Sequence, residues 1–160
     1  MNQKEIINII RTLSIKKIVI VGFPGSGKST LAKFIAHEIA IPHIEADTFF
    51  WINRNESLAP DQLVSLVEKE LQDKNSWVFE GHFKTCQSVV LKDAALVIDI
   101  KNSFMKSFYN YFTREIKRKD ENFLTKLKKI CFVPLNYQKI IKTKEEALAT
   151  YQGKIVRISF

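Results

Sequence analysis

The sequence predicts a parallel α/β sandwich, a five-stranded sheet with helices on both faces, and three observations carry that prediction. Short, nearly all-apolar runs recur along the chain, as in IVIV at 18–21 and AALVIDI at 94–100. Strands apolar on both sides belong to sheets that are covered on both sides. Stretches of helical periodicity separate these runs, so strand and helix alternate. A glycine-rich segment, GFPGSGKS at 22–29, joins the first strand to the helix behind it.

Taken in order, Asn2 to Ser14 spaces Ile6, Ile7, Ile9, Ile10 and Leu13 as a short amphipathic helix. Lys16 to Val21 is the first strand. Ser29 to Ala40 is the next helix, with Leu31, Phe34, Ile35 and Ile39 toward the sheet, and Pro42 lies past its end. His43 to Glu45 is a short second strand. Ala59-Pro60-Asp61 opens a helix that repeats Leu63, Leu66, Val67 and Leu71 up to Gln72. Trp77 to Gly81 and Ala94 to Ile100 are strands three and four. Lys101 to about Lys119 reads as a long basic helix with Phe104, Phe108, Tyr111 and Phe112 along one side, and Lys154 to Phe160 is the last strand.

A length of 160 residues, 46% apolar and 26% charged, is that of one globular domain, 1–160. No apolar run approaches the ~20 residues of a membrane helix, and the N-terminus lacks a signal-peptide pattern. Two cysteines, Cys86 and Cys131, show no metal-type spacing and read as reduced thiols; the expected location is the cytoplasm. The net charge of +8 is concentrated. Lys101 to Lys144 holds twelve lysines and arginines against three acids, a net of +9, so the rest of the chain carries −1.

The segment Gly22-Phe23-Pro24-Gly25-Ser26-Gly27-Lys28-Ser29 fits G-x-x-x-x-G-K-[ST] in its required strand–loop–helix setting. Residues without Cβ let the backbone turn its N–H groups toward one point. With the positive end of the following helix, these make a nest for a nucleotide phosphate. Lys28 is placed to reach the β- and γ-phosphates and the Ser29 hydroxyl to ligate Mg²⁺. The nucleotide-binding set is Gly22, Pro24, Gly25, Ser26, Gly27, Lys28, Ser29 and Thr30, with ATP and Mg²⁺ as the expected cofactors.

These residues, with PHIEADTFFW (42–51), WVFEGHF (77–83), DAALVIDI (93–100), Arg114, Arg118 and KIVRI (154–158), resemble the nucleoside monophosphate kinase group of P-loop proteins, which includes adenylate, shikimate and gluconate kinases. Within it the chain looks most like the DNA topology modulation (FlaR-related) proteins. The resemblance implies a P-loop NTPase fold with sheet order 2-3-1-4-5, a phosphotransferase acting on a small acceptor, and a monomer. It also implies a basic, lid-like segment around 101–144. Glu80 stands where that family carries Asp, and His82-Phe83 where it carries Asn-Tyr.

Several further residues are candidates for the chemistry. Glu80 ends an apolar strand at the rim beside the loop and is a second Mg²⁺ candidate, through a bound water; capping or pairing with a lysine is the other reading. Asp47 lies just past the second strand, where it either orients the acceptor hydroxyl and takes its proton or caps a helix. Arg114 and Arg118, four apart on one helical face, read either as lid arginines over the phosphates or as a solvated basic face. Trp51, Arg54, Gly81 and His82 complete the expected acceptor side. Asp99 is expected to cap the basic helix that starts near Ser103. The basic segment also admits another class of function, a nucleic-acid-binding regulator that hydrolyses ATP slowly.

Overall fold

The computed structural model describes residues 2–53, 56–81, 83–117 and 122–160, and the side chains of these except 51–53 and 56. Five parallel strands form the main sheet: β1 (Lys17–Gly22), β2 (His43–Glu45), β5 (Trp77–Glu80), β6 (Leu96–Ile100) and β7 (Lys154–Ile158). They lie in the order β2-β5-β1-β6-β7. Counted along the chain within this sheet, that order is 2-3-1-4-5, as the resemblance implies. Two short antiparallel strands, β3 (Trp51–Asn53) and β4 (Glu56–Ser57), form a separate ribbon after β2.

Alternation along β1 divides the core into two layers. Ile18 and Ile20, with Val78, Leu96, Ile98 and Ile100, face α1 (Gln3–Thr12) and α2 (Lys28–Glu38), which contribute Ile6, Ile7, Ile10, Leu31 and Ile35. Val19 and Val21, with Trp77, Phe79 and Val97, face the other way. There they meet α4 (Pro60–Gln72), α5 (Phe83–Asp93) and the end of α8 (Tyr137–Thr150). Removing each of these large side chains from water stabilises the fold by ~1.5–3 kcal/mol, so neither layer is dispensable.

The helix ends follow from local chemistry. At α1 the Asn2 side chain accepts from the Glu5 N–H at 2.9 Å, and the Glu5 carboxylate accepts from the Asn2 N–H at 3.1 Å, a reciprocal cap. Pro60 occupies the first turn of α4, where a missing N–H costs nothing.

The helix expected from Lys101 to about Lys119 is α6 (Phe104–Lys117), and among the described residues the basic segment also holds α7 (Phe123–Leu135) and the start of α8. Its aromatics form a third cluster over the end of β1. Phe23, Tyr111 and Val133 are buried there, and Phe104, Phe108, Tyr137, Ile140 and Ile141 pack against them. The Phe23 ring meets Tyr137 edge-on with centroids 5.1 Å apart, and Phe104 at 5.8 Å. This cluster places all three helices against the glycine-rich loop. No helix among the described residues is long and apolar enough to cross a membrane.

Candidate active site

The loop between β1 and α2 is shaped by close approach as much as by turn geometry. Gly25 and Gly27 hold φ of 78° and 95°, values that side chains with a Cβ rarely adopt. A Cβ on Gly25 would also lie 2.1 Å from the Ser107 carbonyl oxygen on α6, whereas one on Gly27 would meet nothing within 4 Å. Helix α6 therefore rests directly on the loop. Two asparagines hold it there: the Asn110 amide donates to the Gly25 carbonyl at 3.2 Å, and the Asn102 amide to the Ser26 carbonyl at 3.1 Å.

Gly22, Pro24, Gly25, Lys28, Ser29, Asp47, Glu80, Gly81 and Arg114 line one cavity of about 440 Å³ at the C-terminal edge of the sheet. Ser26 is buried beside it, and Gly27 and Thr30 are exposed on the first turn side of α2. Lys28 donates to the Phe23 carbonyl at 3.3 Å, folded across its own loop. Burial lowers its pKa, and the carboxylates of Glu80 and then Asp47 offset part of that. Glu80, last in β5 and register partner of Ile20, is 2% exposed. Burial raises its pKa, opposed first by a hydrogen bond with Ser29 and then by Lys28.

Asp47 stands in the first turn of α3 (Ala46–Phe50). Gly81 has φ 85°, and a Cβ on it would lie 2.8 Å from the Asp47 carboxylate. The glycine is thus what lets strand β5 exit beside this acid. Arg114 sits over the Tyr111 ring at 5.5 Å and 3.4 Å from the Glu115 carboxylate. The backbone of Trp51 opens β3; Arg54, His82 and Arg118 lie outside the described residues.

The structure corrects the expectation for Asp99. It lies within β6, fully buried, between Val21 and Arg157 in register. Ser103, not Asp99, caps α6, accepting from the Lys106 N–H at 3.3 Å. The Asp99 carboxylate instead accepts from the Lys144 ammonium of α8 at 2.7 Å, with Arg157 at 3.7 Å and Lys101 at 3.9 Å. Lys144 is itself buried and lines the cavity. Sequence reasoning missed it, together with Lys84, Asn102 and Asn110. Within a lysine-rich stretch nothing marks Lys144 apart; only the packing of α8 onto β6 does.

The chain is similar to adenylate kinases: that of Clostridium perfringens (strain SM101 / Type A) is 30% identical, the match covering 56% of this chain and 55% of that protein. That of Lachnospira eligens is 35% identical over 50% of this chain and 46% of that protein. The chain spans about half the length of the curated relatives it matches. In fold it is similar to a gluconokinase from Sinorhizobium meliloti, with a TM-score of 0.57 at 15% identity, over 90% of this chain and 82% of that one. The model of the NB-ARC domain family matches residues 2–126, a span that contains the glycine-rich loop and the first four strands of the main sheet. With most of its length matched, and with a P-loop, kinase-like architecture around the loop, the chain belongs to the NB-ARC domain family.

Proposed function

We propose that this chain transfers the γ-phosphoryl group of ATP to a small acceptor, a nucleoside monophosphate or a hydroxylated metabolite. The observation that carries the reading is the single cavity in which Lys28, Ser29, Asp47, Glu80 and Arg114 meet around the loop. Phosphoryl transfer asks for placement and charge neutralisation, and these groups supply both. The loop N–H groups and Lys28 would hold the β- and γ-phosphates. On nucleotide entry Lys28 exchanges the Phe23 carbonyl for phosphate oxygens, a charged partner for a neutral one.

The residues present fit Mg²⁺. The Ser29 hydroxyl is hydrogen-bonded with the buried Glu80 carboxylate, an all-oxygen donor pair of the kind that Mg²⁺ takes. Ser29 and Glu80 would hold the ion, which when bound neutralises phosphate charge. An acceptor oxygen attacks phosphorus, the bond to the β-bridging oxygen breaks, and ADP leaves. Asp47 stands where it can orient an acceptor hydroxyl and receive its proton; for a phosphate acceptor it has only a positioning role. Arg114 and Lys144 add positive charge from the basic helices, as a lid does in the kinases this chain resembles.

A second reading draws on the remaining cations. Lys106, Lys117, Lys128, Lys139 and Lys142 are exposed away from the cavity, and so are Tyr109 and Phe123. This surface supports the DNA topology modulation reading, a nucleotide-dependent regulator that contacts nucleic acid. ADP release from Mg²⁺·ATP, measured across nucleoside monophosphates, hydroxylated metabolites and short RNA with Lys28→Ala as control, separates the two. The phosphotransfer reading expects at least tenfold stimulation by one small acceptor, lost in the variant. Salt-steep nucleic-acid binding without such stimulation favours the second.

A further inference from the structure

Behind Glu80, on the face of the sheet that α2 covers, three ligand-bearing side chains converge. His43 and Glu45 are two residues apart on β2, so their side chains share a face. Glu80 is the register partner of Glu45 on β5 and emerges on that same face one strand away. One ligand atom from each lies within 4.8 Å of the other two, and His43 Nε2 stands 3.7 Å from Glu80 Oε1.

Neither of those two atoms has a hydrogen-bond partner among the described residues, although both are buried and the Glu80 side chain is only 3% exposed. Leaving such groups unsatisfied costs ~1–3 kcal/mol each. At 3.7 Å they are too far apart to satisfy one another. That distance does suit two ligands of one ion, because bonds of ~2.0–2.2 Å at a tetrahedral centre hold donor atoms ~3.3–3.6 Å apart. An ion would also relieve the repulsion between Glu45 and Glu80, which sit side by side.

We propose that His43, Glu45 and Glu80 form a binding site for a first-row divalent transition ion, Zn²⁺ or Mn²⁺, adjoining the phosphate loop. An imidazole nitrogen with two carboxylates is a donor set for such ions, whereas Mg²⁺ prefers oxygen alone. Three protein ligands leave a coordination position for water or, given Glu80's place beside Ser29, for a phosphate oxygen. The site does not depend on the phosphotransfer reading, and its test is made without nucleotide.

Mn²⁺ alone is titrated into the nucleotide-free protein while the imidazole proton signals of its three histidines are followed by NMR. Substoichiometric Mn²⁺ is expected to broaden His43 selectively and to leave the exposed His37 sharp. Glu45→Gln, at a half-exposed position that tolerates the change, is expected to weaken the effect at least tenfold, and Ser29→Ala to leave it intact. Equal broadening of His37, no broadening of His43, or indifference to Glu45→Gln would overturn the site. Loss of the effect in Ser29→Ala would overturn it too, by placing the ion at the phosphate loop.

Discussion

Lys144→Met removes one ammonium and keeps nearly the same length of apolar stem. In the native chain that ammonium donates at 2.7 Å to Asp99, whose carboxylate is wholly buried in β6. Breaking a buried pair from one side costs ~3–5 kcal/mol, because the remaining charge stays desolvated. Here Arg157 and Lys101 remain at 3.7 and 3.9 Å, but their side chains are 52% and 46% exposed, so water screens much of what they offer. The lower end, ~3 kcal/mol, is the expected loss, equivalent in a domain of this size to a fall in Tm of roughly 6–12 °C. Urea unfolding of wild type, Lys144→Met, Asp99→Asn and the double variant closes a double-mutant cycle. The two single losses are expected to exceed the double loss by on the order of 2 kcal/mol. A Lys144→Met cost below ~1 kcal/mol, or additivity within ~0.5 kcal/mol, would refute the claim that this pair ties α8 to the sheet.

Gly25→Ala is expected to lower Tm more than Gly27→Ala. Both meet a left-handed penalty of ~1–2 kcal/mol, but only the first drives a Cβ into the Ser107 carbonyl; thermal melts of the two variants make the comparison. Burial lowers the Lys28 pKa and phosphate oxygens raise it, so nucleotide binding should take up protons in the alkaline range and weaken as pH rises. Calorimetry at about pH 9 in two buffers of different ionisation heat reads that uptake, and none would count against Lys28 as the phosphate contact. Glu80 has a raised pKa, so the folded state holds its proton more tightly than the unfolded one and stability falls as pH rises through that pKa. Glu80→Gln should therefore melt above wild type at neutral pH, with the gap closing by about pH 4, while Mg²⁺-dependent ADP production drops.

The strands and the loop were legible because their signals are local. An apolar run and a glycine-lysine-serine spacing need no knowledge of what lies across the sheet, and β1, β5, β6 and β7 fall close to where those runs lie, with the three-residue β2 just past Pro42; the β3–β4 ribbon carried no such signal. What escaped was set by tertiary contact. Helix α5 (Phe83–Asp93) carries the weakly patterned FKTCQSVVLKD, and its buried positions, Cys86 and Val90, gain meaning only against α4 and β1. The lysine-rich stretch hid α7 and α8, whose apolar residues serve partly as a cover for Phe23 rather than as a regular stripe. Asp99 looked like a helix cap because an acid near the end of an apolar run usually leaves the sheet; here Lys144 gives it a partner inside. On the candidate site, Lys28, Ser29, Asp47, Glu80, Gly81 and Arg114 come together in the cavity, and Gly81 has a specific reason, the room it leaves for Asp47.

The fate of a labelled γ-phosphate tests the proposed phosphotransfer most directly. The protein is incubated with Mg²⁺ and γ-labelled ATP together with whichever acceptor most stimulates ADP release, and the products are separated. The account predicts that the label leaves ATP with the acceptor, in amounts equal to the ADP formed, and that Lys28→Ala abolishes the transfer. Label found only in inorganic phosphate, or retained in ATP with every acceptor, would contradict it.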